Sequence, residues 1–137
     1  MSDLQRFVQA QDGVYDDALA EIKAGRKRTH WMWFVFPQIA GLGFSPTAQR
    51  YALSGAAEAK EYLAHPVLGP RLTEIAQAML AVQGRSAEQI LGYPDDLKLR
   101  SSMTLFAAVA GDPAVFDAVL ARYYDGPDQR TLDLLGA

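Results

Sequence analysis

The 137-residue chain contains no cysteine, so disulfide frameworks, thiolate metal sites and cysteine nucleophiles are excluded at the outset. Histidine is nearly as scarce. His30 and His65 are the only two, and neither has the clustered carboxylate or histidine neighbours that a metal site needs, so no metal and no cofactor are expected. Long apolar runs are missing as well. The longest, Trp31 to Pro37 and Leu105 to Ala110, fall far short of the ~20 residues of a membrane span. The opening Met-Ser-Asp-Leu-Gln-Arg-Phe has no stretch of signal-peptide length, and a cytoplasmic protein without a membrane partner is expected. No Gly-x-Ser-x-Gly elbow occurs, which argues against an esterase-type Ser-His-Asp centre. There is no basic excess either. The formal net charge is -3, so no global field draws in nucleic acid. The one basic cluster, Arg26-Lys27-Arg28, sits near a helix end, where cations are ordinarily stabilised by the dipole.

What is present is an ordinary globular balance. Half of the residues are apolar and 21% are charged, which is enough to build a core and argues against disorder. Apolar positions recur at helical spacing. Leu4, Phe7, Val8, Gln11, Tyr15, Ala18, Leu19 and Ile22 predict one helix, with Ser2 and Gln5 as a capping box and Gly25 as its stop. The aromatic run after Thr29 predicts a short buried helix capped by that threonine and closed at Pro37, leading into a loop through Gly41 and Gly43. Ser45-Pro46 opens the next helix, and Ala56 to Ala64 forms another. The chain breaks at His65-Pro66, and a stripe from Leu68 to Leu80 follows. Ser86 and Gln89 form a capping box, Asp95 or Asp96 caps the helix after Tyr93-Pro94, Asp112-Pro113 starts a further helix, and Asp128 caps the last. No second β run accompanies these elements. The expected fold is all-α: one irregular domain, 1–137, of about seven or eight short to medium helices.

Two segments do not read as ordinary helix surface. Arg26 to Ser45 holds both tryptophans, His30, Gln38 and the Gly41-x-Gly43 loop. Aromatic faces can stack rings, and glycines let backbone approach a ligand closely, although such aromatics more often simply build the core. The second segment, Gly92 to Phe106, carries Asp95, Lys98, Ser101, Ser102 and Thr104 on an otherwise apolar helix. Helical spacing places Asp95 one turn before Lys98, and Lys98 one turn before the serines, so Asp95, Lys98 and Ser102 can share a face. A hydroxyl-rich opening on an apolar helix costs stability unless something satisfies it. The candidate catalytic residues are therefore Asp95, Asp96 and Lys98. The candidate ligand-binding residues are Arg26, His30, Trp31, Trp33, Gln38, Ser101, Ser102 and Thr104.

These residues also carry a resemblance. Asp3-Leu-x-Arg-Phe-Val-x-Ala-Gln11, Gly25-Arg-Lys, His30-Trp-Met-Trp-Phe, Phe36-Pro-Gln and Gly41-Leu-Gly resemble the bacterial family known as domain of unknown function 1810. So do His65-Pro, Leu68-Gly, Pro94-Asp-Asp-x-Lys-Leu, Ser101-Ser-Met-Thr-Leu-Phe and Thr131-Leu. The likeness runs nearly end to end, implies a helical fold and brings no established activity with it. A looser similarity, at the level of fold class with no motif shared residue by residue, links the chain to enzymes that hydrolyse N-glycosidic bonds of ADP-ribosylated or riboflavin-pathway compounds.

Two functions of different class follow. In the first, the two segments meet in a pocket for a small nucleotide- or ribose-like molecule, in its sharpest form an N-glycosidic hydrolase. Trp31 or Trp33 then stacks a ring, Lys98 and Arg26 hold anionic oxygens, and Asp95 or Asp96 is the acid–base group. In the second, exposed aromatics form a docking patch for a protein partner, which requires Trp33 at the surface and no cavity beside Lys98. An RNA-binding domain is a third class, disfavoured by the acidic balance. The sequence sets no oligomeric state.

Overall fold

The computed structural model describes residues 3–136. Among them the chain forms ten helices, seven of them of seven residues or more, and one isolated parallel bridge between Ile39 and Leu53. The fold is all-α.

The first apolar stripe is split between two helices, α1 (Gln5–Gln11) and α2 (Tyr15–Lys23), where one was expected. Asp12 leaves helical space at ψ 123°, and Gly13 takes φ +73°, a left-handed value that glycine adopts without steric cost. Phe7, Gln11, Tyr15, Ala18 and Ile22 all remain buried across the break, which is why the periodicity concealed it. The break sends α1 against α3 (Met32–Val35) and α2 against α6 (Leu68–Ala81). The Ser2 cap lies outside the described residues. Thr29 does not cap α3. Trp31 occupies that position without a side-chain bond, and the Thr29 hydroxyl donates to Glu21 instead.

Helix α4 (Pro46–Arg50) starts as its sequence predicts, with Ser45 Oγ accepting from Ala48 N at 3.1 Å. The Ile39–Leu53 bridge then closes the 39–53 loop through Ala40 N to Leu53 O and Leu53 N to Gln38 O. Helix α5 spans Ala56–Ala64, and His65 ends it. The His65 Nδ1 accepts from Val67 N and Leu68 N, satisfying donors that the start of α6 leaves orphaned. Helix α7 (Ala87–Leu91) has the Ser86–Gln89 capping box, and α10 (Gln129–Leu135) has Asp128 at its cap. Between them lie α8 (Asp95–Val109) and α9 (Ala114–Tyr123). Asp95 and Asp96 fall in the first turn of α8 rather than capping it, because Pro94 holds the cap position and both carboxylates point elsewhere.

Helices α6 and α8 are the buried axis of the molecule. Helix α8 packs on α5, α7, α9 and α10, and α6 on α2, α5 and α9. An aromatic chain runs through this core: Phe7 to Tyr62 at 5.2 Å, Tyr62 to Phe106 at 5.4 Å and Phe106 to Phe116 at 5.9 Å between ring centroids. Such pairs add stability beyond their buried area. Gln11, itself buried, is satisfied inside this core. Its amide donates to Phe34 O at 2.7 Å and Tyr62 Oη at 3.0 Å, and it accepts from Arg71. An unpaired amide in that position would be costly.

The turn from α5 into α6 depends on a missing side chain. A Cβ on Gly69 would lie 2.0 Å from the Leu63 carbonyl oxygen, a backbone atom that cannot step aside. Gly69→Ala is therefore expected to cost about 1–3 kcal/mol or more in chemical denaturation. Gly111→Ala, where a Cβ meets nothing within 4 Å, should change stability by less than about 0.5 kcal/mol. Equal effects at both positions would refute the close α5–α6 approach.

Candidate functional site

The site begins with an acceptor for a buried donor. Trp31 is fully buried and its indole N–H needs a partner. Glu21, near the end of α2, supplies one: Trp31 Nε1 donates to Glu21 Oε1 at 2.9 Å. The same carboxylate accepts from Arg28 N at 2.7 Å, Thr29 N at 3.0 Å and Thr29 Oγ1 at 2.7 Å. Burial pushes the Glu21 carboxyl upward, but these four hydrogen bonds outweigh it and hold the group at about 2, below its ordinary 4.5. The 26–31 loop is thereby folded back onto α2. A further bond, Lys27 N to Ile90 O at 2.7 Å, ties it to α7.

This places Lys27 against the start of α8. Lys27 Nζ lies 3.0 Å from Asp95 Oδ2, and Lys98 Nζ lies 3.3 Å from Asp95 Oδ1, so one carboxylate bridges two ammonium groups. Each lysine also sits over a tryptophan face, Lys27 at 5.3 Å from the Trp31 ring and Lys98 at 4.9 Å from the Trp33 ring. The expected Asp95–Lys98 pair on one helical turn is present, and Lys27 joins it.

Beside Lys98 is an open cleft of about 330 Å³ between the 38–48 segment and the first two turns of α8. Trp33, Gln38, Phe44, Leu97, Lys98 and Ser101 are among its walls. Gly43 lets the loop come close to α4, since a Cβ there would lie 2.6 Å from Ala48 Cβ. Trp33 and Gln38 are half-buried, whereas Phe44 is 75% exposed at the mouth. Four of the expected ligand-binding and catalytic residues thus converge here: Trp33, Gln38, Lys98 and Ser101.

The others lie elsewhere. Trp31 is in the core with no face open to a ring. Ser102 is fully buried and its Oγ has no hydrogen-bond partner among the described residues, whereas Ser101, also buried, edges the cleft with its Oγ donating to Leu97 O and Asp128 Oδ2. Thr104 is also buried, donating to Arg100 O and accepting from Asp128 N, both at 2.8 Å. His30 is exposed, and Arg26 lines a separate cavity with Lys27 and Arg28. Asp96 accepts at its backbone oxygen from the Tyr124 hydroxyl, whose titration burial pushes well above its ordinary range. Its Oδ1 is buried without a partner among the described residues.

Residues outside the expected site complete the picture. Glu21 organises the loop, Lys27 shares Asp95, and Asp128 anchors α10 by accepting from Ser101 Oγ and from Thr131 N and Oγ1. Only the need of a buried tryptophan for an acceptor could have pointed to Glu21, ten residues earlier. Among the described residues no group of three His, Cys, Asp or Glu is placed to hold a metal ion, and no helix is long and apolar enough to cross a membrane.

Fold and site together define a small all-helical protein with a cationic, tryptophan-floored cleft at the start of a central helix. The chain belongs to the family described as "Protein of unknown function (DUF1810)", which it matches over residues 1–135. It is similar to a crystal structure of the conserved hypothetical protein Rv1873 from Mycobacterium tuberculosis, at 57% identity and a TM-score of 0.96. That similarity covers 98% of this chain and 97% of the other. No curated protein matches the chain.

The Glu21 clamp has a pH signature. The folded carboxyl titrates near 2 against an ordinary 4.5, so its contribution is complete above about pH 5 and is lost as pH falls from 4.5 toward 2. Glu21→Gln is expected to lower the melting temperature at pH 7 and redden Trp31 fluorescence. The gap from the parent should narrow at pH 3, and a gap as wide there as at pH 7 would show that the charge is not what holds the loop.

Proposed function

We propose that the cleft binds a small molecule of nucleotide- or ribose-like character. The observation that carries this reading is the convergence of Trp33, Gln38, Lys98 and Ser101, from two segments sixty residues apart, on one open cavity. Pockets of this kind pair apolar walls with a few placed polar groups. Trp33 offers a ring face, the Lys98 ammonium suits an anionic oxygen and the Gln38 amide suits sugar or base polar atoms, while the Ser101 hydroxyl, whose proton goes to Asp128, is left to accept.

Binding is the form of this reading that the geometry favours. The finer form is N-glycosidic hydrolysis with Asp95 or Asp96 as the acid–base group. A glycosidic cleavage develops positive charge on the sugar, and Asp95 sits between two cations that oppose it. Asp95 could take part once a ligand anion drew one lysine away. Release of free base from NAD or ADP-ribose, lost in Asp95→Asn, is the result that would support hydrolysis.

A second reading has its own observation. Phe44 and Leu97, both in the wall of the same cleft, are 75% and 47% exposed, as a docking patch for a protein partner would be. The presence of a cavity beside Lys98 and the half-burial of Trp33 weigh toward the small molecule.

A thermal-shift series with nucleosides, nucleotides, ADP-ribose, NAD and sugar phosphates tests the first reading. One class should raise the melting temperature in proportion to the logarithm of its concentration over its Kd. Lys98→Met should remove that shift while costing about 1 kcal/mol in the free protein, because Asp95 keeps its second cation, Lys27. No shift from any compound, or a shift that survives Lys98→Met, would overturn it.

A further inference from the structure

The Arg26–Arg28 loop presents three successive cations on a chain of net charge -3 and walls its own cavity of about 380 Å³. Lys27 turns inward to Asp95, its side chain only 8% exposed, while Arg26 and Arg28 stay at the surface. Other arginines are held by the protein: Arg6 by the Arg50 and Ala52 carbonyls, Arg85 by Gln89 O and Arg100 by Gly126 O. No ion pair engages Arg26 or Arg28 among the described residues. Their loop is nonetheless pinned, by the Glu21 carboxylate, by Arg26 N to Glu21 O at 3.0 Å and by Lys27 N to Ile90 O. Free guanidiniums on a fixed backbone are preorganised donors for an oxyanion with several acceptors, and guanidinium geometry matches phosphate.

This cavity and the Trp33–Lys98 cleft have no wall residue in common, but Asp95 links them. Lys27 lines one, Lys98 lines the other, and the two grip opposite oxygens of the single Asp95 carboxylate. We propose that Arg26, Lys27 and Arg28 form a phosphate subsite, so that the ligand is a ring-bearing phosphate of nucleoside-diphosphate type lying across Asp95. Asp95 is the built-in counter-ion of the subsite, and the incoming phosphate takes its place on Lys27. The ring half of this proposal rests on the cleft reading; the phosphate half stands on the loop.

Calorimetry on the whole protein separates the two, using inorganic pyrophosphate, a nucleoside and a nucleoside diphosphate as probes. The diphosphate should bind at least about tenfold more tightly than the nucleoside. The double variant Arg26→Ala, Arg28→Ala should erase that difference, abolish pyrophosphate binding and leave nucleoside affinity unchanged. Asp95→Asn, which removes the competing carboxylate, should strengthen pyrophosphate binding several-fold, and salt should weaken it. If the nucleoside binds but pyrophosphate does not, and the arginine variant leaves diphosphate affinity as it was, the subsite is overturned and the cleft reading stands. If pyrophosphate binds through the arginines and no nucleoside binds, the subsite is supported and the cleft reading falls. Weaker pyrophosphate binding in Asp95→Asn would overturn the counter-ion role.

Discussion

Glu21 accepts four hydrogen bonds from a loop that begins five residues after it, and much of the site's geometry traces back to that carboxylate. Trp31 is the largest fully buried side chain, and its burial places an indole N–H out of reach of water. Leaving that donor unpaired would cost about 1–3 kcal/mol, so the loop must run where an acceptor is. Having curled back to meet Glu21, it carries Lys27 to Asp95 on one side and leaves Arg26 and Arg28 outside on the other. Trp33, two residues beyond Trp31, is then delivered to the cleft rather than the core.

The electrostatics of the start of α8 follow from the same arrangement. Two acidic residues in a first helical turn are favourable to the helix dipole whatever else they do. Asp95 adds a second duty by drawing two lysines from different elements onto one carboxylate, and each lysine rests on a tryptophan face. A chain that is acidic overall therefore gathers its cations locally, with Arg26 and Arg28 at one cavity and Lys98 at another. Burial of the hydroxyls farther along α8 has a different cause. Thr104 and Ser101 meet Asp128, so the hydroxyl-rich face of the helix serves in part to dock α10.

Much of the helical content was legible because capping and breaking are local. The Ser45-Pro46 start, the Ser86–Gln89 box, the Asp128 cap and the span Ala56–Ala64 all occur where the sequence places them. The errors were also local in kind. A stripe at three-and-four spacing does not reveal a three-residue break at 12–14 when the same positions stay buried on both sides. Thr29 and Asp95 have the chemistry of caps, yet each found a stronger partner beyond the reach of its own helix. In the site, the meeting of the tryptophan segment with the Asp95 helix was anticipated, but its membership was not sorted. Trp31 and Trp33 are indistinguishable by spacing alone, as are Ser101 and Ser102.

By itself, the sequence determined the all-α class, most helix limits and the two segments from which a site could be built, because periodicity, capping and composition act within a few residues. The tertiary structure alone decided which of two tryptophans is core, which of two serines faces the cleft, and that Lys27 and Lys98 share Asp95. It also decided that Glu21 governs the basic loop. Those outcomes depend on the direction in which a side chain leaves its backbone and on partners from other elements. Direction and distance across elements are set by packing, which no local pattern encodes.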